Sequence, residues 1–307
     1  MSFNIEEYLN SLPFDIKTIN ISNKGLTYIP DLSRFTNLKV LYCSYNLLKE
    51  LPVLNDTLTH LYCNYNKLTK LPDLNNKLTL LHCNSNLIVE LPQLNESLLI
   101  LYCNSNKLTK LPVLNNKLLE LACFRNKIKE LPQLNESLLI LNCNYNKLTE
   151  LPYLNNKLIY LDCNYNKLTQ LPSLNNTLTH LNCSHNKLTQ LPSLNNTLTH
   201  LHCDSNNIKY LPNLSHSLFT LYFKYNPIDD ILKTFVFKIG GLTLGKKIKI
   251  LNSFRYTYYC LRFKTQFKKW LWEKVREPKI MQKFHPDHLN TLKETDDLEE
   301  FLEEWVK

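Results

Sequence analysis

The sequence predicts a solenoid: short parallel strands stacked into one concave sheet, an extended back in polyproline-II-like conformation, and a helical segment at either end. Three observations predict it. Nine of the ten cysteines, Cys43 to Cys203, recur at strict 20-residue intervals. One template surrounds them, seen cleanly from Leu58 through Cys63 and Asn66 to Leu71-Pro72-Asp73-Leu74, and it repeats eleven times from Ile16 to about residue 232. The chain holds only four glycines, far below the ~7% usual for globular proteins, so asparagine carries its turns.

Each slot of the template has a physical reading. In Leu61-Tyr62-Cys63 the order apolar, polar, apolar is that of a strand sending Leu61 and Cys63 inward and Tyr62 outward. Leu58, Leu68, Leu71 and Leu74 complete an inward face that one repeat cannot bury alone, so neighbours must stack. Asn66 recurs from Asn46 to Asn226, where its amide can satisfy backbone groups as the strand turns away. Pro72 and its equivalents fix φ and exclude a helix on the back. The cysteine column reads as a ladder of small buried hydrophobes. In-register side chains point the same way, so reduced thiols in a cytoplasmic setting are expected rather than bridges. No Cys-x-x-Cys pair exists to hold zinc.

The pattern L-x-x-L-x-L/C-x-x-N is that of leucine-rich repeats. The unit, with its Leu-Pro-x-Leu back, resembles the short repeat of bacterial type III secreted effectors. The Cys-Asn-x-Asn-x-Leu variant, with the tail Trp272 to Ile280 and Phe284-His-Pro-Asp-His-Leu289, is similar to leucine-rich repeat proteins of giant DNA viruses of the mimivirus type. The resemblance covers about residues 16–232. It implies the fold and names no partner; for a viral chain the setting would be the host cytoplasm. Effector ligases of this kind use a Cys-x-Asp nucleophile. Here the tail cysteine stands in Cys260-Leu-Arg262, so that activity does not carry over.

Outward positions form columns along the sheet. The first includes Glu120, Ile140, Tyr160, His180 and His200; the second Tyr62, Tyr102, Ala122, Asn142, Asp162 and His202. The third is mostly Asn, and the fourth holds Arg125, Tyr145, Tyr165 and His185. Tyrosines of this kind favour interfaces, and the other reading is that repeat duplication copied them. The repeat at 118–137 departs most, with Phe124-Arg125 beside small Ala122. The expected partner surface is therefore Tyr62, Tyr102, Phe124, Arg125, Tyr145, Tyr160, Tyr165, His180, His200 and His202. The histidines invite a metal or pH-sensing reading, but they lie in near-identical copies, and duplication accounts for the cluster; no metal or cofactor is expected.

Residues 1–15 read as an N-terminal helical cap ended by Pro13. Residues 233–307 read as a helical C-terminal subdomain. Its first part, to Lys283, has fourteen lysines and arginines against two acids, and the remainder has eight acids against two lysines, so the halves can neutralise one another. A basic aromatic helix over 246–277 is either a cap or a tether to nucleic acid or anionic membrane. His285-Pro-Asp287 matches the tripeptide of chaperone J-domains, but Pro278 interrupts the helix that should precede it. Met1 to Asn10 shows no secretory leader, and the run Phe235 to Leu244, broken by Lys238, is far short of the ~20 residues that cross a bilayer. No phosphate loop, nucleophile elbow or His-Glu-x-x-His pairing occurs. The expectation is a monomeric, non-enzymatic scaffold binding a protein on its concave sheet, without catalytic residues.

Overall fold

The computed structural model describes residues 3–234 and 243–262. Eleven strands of three residues each, from β1 (Thr18–Asn20) and β2 (Val40–Tyr42) to β11 (Thr220–Tyr222), form one parallel sheet in sequence order. Register advances by one repeat per strand, as in Val40↔His60 and Tyr42↔Tyr62; only β1 to β2 takes 22 residues, Thr18↔Val40. Parallel neighbours require a crossover, and here the extended back supplies it. No helix lies between β1 and β11.

The middle residue of each strand from β1 to β10 is buried, with Leu61, Leu81, Leu101 and Leu121 fully so. A buried leucine contributes roughly 1.5–3 kcal/mol, and stacking supplies that burial where three-residue strands alone would not hold. The cysteine after each strand from β2 to β10 is equally inaccessible, and all nine of these thiols, Cys43 to Cys203, are free. Burial pushes the Cys43, Cys83 and Cys123 thiols up to about 12, so the nucleophilic thiolate is suppressed.

Two asparagine ladders bind the turns together. Asn66 donates through Nδ2 to the carbonyls of Cys43, 2.9 Å, and Cys63, 3.1 Å, while its Oδ1 accepts the Leu48 N–H at 3.1 Å. The same bonds recur at Asn86, Asn106, Asn126 and onward. The second ladder runs along the back. Asn75 donates to the Asn55 carbonyl at 2.9 Å, Asn95 to Asn75 at 2.8 Å, and the series continues to Asn195.

Between strand and ladder the chain turns through one left-handed residue per repeat. From Asn23 and Tyr45 to Tyr225, all eleven have φ between 48° and 57°. This corrects the expectation of four strand columns. Only the first two columns lie on strands; Phe124 and Arg125 follow β6 (Glu120–Ala122), and the fourth column lies on the turn edge.

At the N-terminal end, α1 (Ile5–Asn10) is capped by Asn4, whose Oδ1 accepts the Glu7 N–H at 3.2 Å, and it buries Ile5 and Leu9. Arg34 of the first repeat donates to the Leu9 carbonyl and, at 3.1 Å, to Asn10 Oδ1. After β11 come α2 (Pro227–Thr234) and α3 (Leu244–Arg262). The chain forms two compact units, Met1–Asn252 and Ser253–Lys307. Within the first, Ile248 and Leu251 are buried, and Asn252 exchanges hydrogen bonds of 2.8 and 3.0 Å with the Leu214 backbone. The basic helix expected over 246–277 is described only as far as Arg262. The acidic stretch 284–307 and His285-Pro-Asp287 lie outside the described residues. Among the described residues no helix is long and apolar enough to cross a membrane.

Candidate binding surface

The concave face is built by the outward residues of the strands and those just after them. Strand pairing holds neighbouring side chains about 4.8 Å apart, close enough for rings to stack. Tyr42 and Tyr62 stack with centroids 4.6 Å apart, Tyr62 meets His82 edge-on at 4.9 Å, and His82 stacks on Tyr102 at 4.5 Å. The row ends there because the next rung is Ala122. Tyr102 turns its hydroxyl to Glu120 Oε2 at 2.6 Å. Burial, then this carboxylate, push the Tyr102 phenol up to about 12.

Ala122 opens a depression of about 390 Å³ walled by Tyr102, Phe124, Ile140 and Tyr160, with Asn104 and Asn142 beside them. Phe124 is half-buried in this wall and contributes nothing to the core. Tyr102, Phe124 and Tyr160, three of the residues expected from sequence, are thus brought together. The signal for the depression was present in the sequence as Ala122. Ile140 and Asn142, which complete its wall, carry no such signal.

The remaining expected residues fall into other groups. Tyr62 belongs to the stacked row. His180 lies flat on His200 at 4.1 Å, and each accepts or donates at Nδ1 with its preceding threonine, Thr179 or Thr199, at 2.8 Å. His202 reaches Thr220 at 3.3 Å. Burial lowers the His180 and His202 imidazoles, and the other histidines add to the shift. Asp162 is buried below them, its carboxyl pushed up by burial against hydrogen bonds from Asn144, 2.9 Å, and the Asn164 N–H, 3.2 Å. No group of three metal-ligating side chains occurs among the described residues.

Arg125, Tyr145 and Tyr165 stand on the turn edge. The Arg125 guanidinium lies 5.5 Å from the Tyr145 ring centre, Tyr145 stacks on Tyr165 at 4.1 Å, and Tyr165 on His185 at 4.0 Å. The concave depression and the turn-edge row are therefore two surfaces, where the sequence suggested one.

No protein-family model matches the chain, and no curated protein does. Solved structures do. The leucine-rich effector protein YopM of Yersinia pestis is 30% identical over 71% of this chain and 74% of its own, with a TM-score of 0.55. The leucine-rich repeat domain of APL1 is 20% identical over 69% and 63%, with a TM-score of 0.60. The FLRT2 leucine-rich repeat domain, solved in an octameric complex with Latrophilin 3 and Unc5D, is 22% identical over 70% and 77%, also at 0.60.

Proposed function

The chain belongs to the leucine-rich repeat proteins, and from that premise we propose that it is a non-enzymatic scaffold that binds a protein through its concave sheet. The depression over Ala122 carries this reading. Half-buried aromatic walls around a small floor are what a protruding partner side chain fills, and such centrally placed contacts dominate interface energies. FLRT2, as a fold relative in a multi-protein complex, supports a binding role for the architecture without pointing to a partner. The nine reduced thiols suit a reducing compartment, and the repeat variant suits a giant-virus protein acting in host cytoplasm.

The test is photo-crosslinking from Ala122, with Val113, 81% exposed on the back, as the control position. A protein captured from Ala122 and not from Val113 is the expected result. Against that partner, Phe124→Asn, which restores the residue of the neighbouring repeats and leaves the turn edge untouched, should weaken binding by about 2 kcal/mol, or roughly thirtyfold. Equal capture at both positions, or unchanged affinity, would reject the concave reading.

A further inference from the structure

The turn edge carries a row of lysines beside its row of rings. Lys107, Lys127, Lys147, Lys167 and Lys187 occupy the same position in five successive repeats, each one residue after the ladder asparagine, and all five are exposed. Their register is fixed by the backbone, since each N–H from Lys107 to Lys187 donates to the preceding turn at 2.8–2.9 Å. Their Cα atoms are thus about 4.8 Å apart, and none of these five lysines forms an ion pair, whereas Lys110 of the same region pairs with Glu90. A row of like charges this close is a positive ridge that attracts a polyanion. By contrast, the concave columns from β2 to β10 carry only Glu120 and Asp162 as formal charges.

Beside the ridge runs the stacked row Tyr145–Tyr165–His185, which Ser205 interrupts before Tyr225 resumes it. Rings along this edge sit 4.0–4.5 Å apart. Two repeats separate His185 from Tyr225, about 9.6 Å at strand spacing, so a planar ring above Ser205 would fall at nearly the spacing of the row on both sides. Ser85 and Ser105 leave a wider gap between Tyr65 and Arg125. The neighbouring Asp204 does not close the slot, because its carboxylate accepts the Lys224 N–H at 2.9 Å and faces Ser184.

We infer that the turn edge binds single-stranded nucleic acid, with the phosphate backbone along Lys107–Lys187 and a base inserted in the row over Ser205. Charge tracking a backbone together with aromatic platforms for bases is the chemistry of sequence-tolerant single-strand binding. An acidic polypeptide matches the lysines but has no planar bases for the slot, and a duplex keeps its bases paired inside.

The experiment titrates the full chain into fluorescent dT20 and measures anisotropy across a salt series. Phosphate neutralisation gives a slope of about −0.7 per contact on single strands. Changing Lys127, Lys147 and Lys167 to Gln should therefore flatten log K against log salt by about 2. An unchanged slope overturns the ridge and assigns binding to another basic segment, such as 246–277. Ser205→Tyr fills the slot with a residue that sister repeats already carry at the same left-handed position, so folding is preserved. It should weaken dT20 at least tenfold while Ser205→Ala does not. Loss of binding in neither variant, or equal binding of poly-glutamate with no effect of Ser205→Tyr, overturns the nucleic-acid assignment.

Discussion

The inward and outward sides of each repeat obey different rules. Inward, leucine, cysteine and asparagine return with little variation, and each is fully used: leucine by burial, cysteine by filling a narrow interior, asparagine by three hydrogen bonds. Outward, the same register holds valine, histidine, leucine, isoleucine, glutamate, tyrosine or threonine. The difference teaches where to seek function. Inward chemistry is dictated by stacking, so only outward departures such as Ala122 and Ser205 carry information about what the protein meets.

The strongest way to break the contrast is to put an outward residue inside. Cys143 is fully buried beside Cys123 and Cys163. Cys143→Asp should cost more than about 4 kcal/mol or unfold the neighbouring repeats, because nothing there can pair a carboxylate. Cys143→Val should cost under about 1.5 kcal/mol, as volume-conserving core changes do. Denaturant melts of both variants decide it; equal loss would mean the column needs sulfur rather than bulk.

The ladder is next in size. Asn146→Ala leaves the Ile128 N–H without its acceptor, and it takes one of two donors from each of the Cys123 and Cys143 carbonyls, which keep Asn126 and Asn166. An unsatisfied buried group costs ~1–3 kcal/mol, so a loss of about 2 kcal/mol is expected. Asn104→Ala, on the outward side, should change stability by less than about 0.5 kcal/mol. If the two variants melt together, the ladder is ornament.

How much of this was legible follows the same division. The period, the inward leucines and cysteines and the ladder Asn46 to Asn226 could be read directly, because burial demands them at fixed intervals. The second ladder, Asn55 to Asn195, could not. In Leu-Asn-Asn and Leu-Asn-Glu it looks like a polar turn, and which asparagine faces inward depends on the path of the back. Strand length was overread, since alternation continues past Tyr62 into residues that have already turned. The left-handed turn was hidden by its occupants: Tyr65, Arg125 and Tyr165 are not residues that announce positive φ. Phe124 was recognisable as a departure, but its role as a wall over Ala122 needed the geometry.

Titrating the outward side gives a smaller effect. His180 and His202 have folded-state values below the unfolded value near 6.5, from burial first and then from neighbouring histidines; for His202, Asp204 and Asp162 oppose the shift. Above pH 6.5 these groups are neutral in both states and neutral to stability. As pH falls below 6.5, the unfolded chain takes up protons that the folded chain resists, so stability declines until the folded values are passed. The melting temperature should therefore drop between pH 7 and pH 5. Replacing His180 and His202 with tyrosine should shrink the drop, and an unchanged pH profile would place its source elsewhere.

The smallest effect tests the turn itself. A non-glycine residue in left-handed conformation costs roughly 1–2 kcal/mol, and part of the relief on changing it to glycine is returned as unfolded-state entropy. Ser105 has φ 55° and no ring neighbour, so Ser105→Gly should stabilise by about 0.5 kcal/mol. Tyr165 pays the same strain at φ 48° but stacks on both Tyr145 and His185, contacts worth ~0.5–1.5 kcal/mol each. Tyr165→Gly should thus destabilise by about 1 kcal/mol despite relieving the same backbone. Calorimetric melts of the two variants measure the row by difference. Equal stabilisation would mean that the stacked rings add nothing to folding, leaving their exposed edges as the reason a strained turn carries tyrosine where asparagine or glycine would fit more easily.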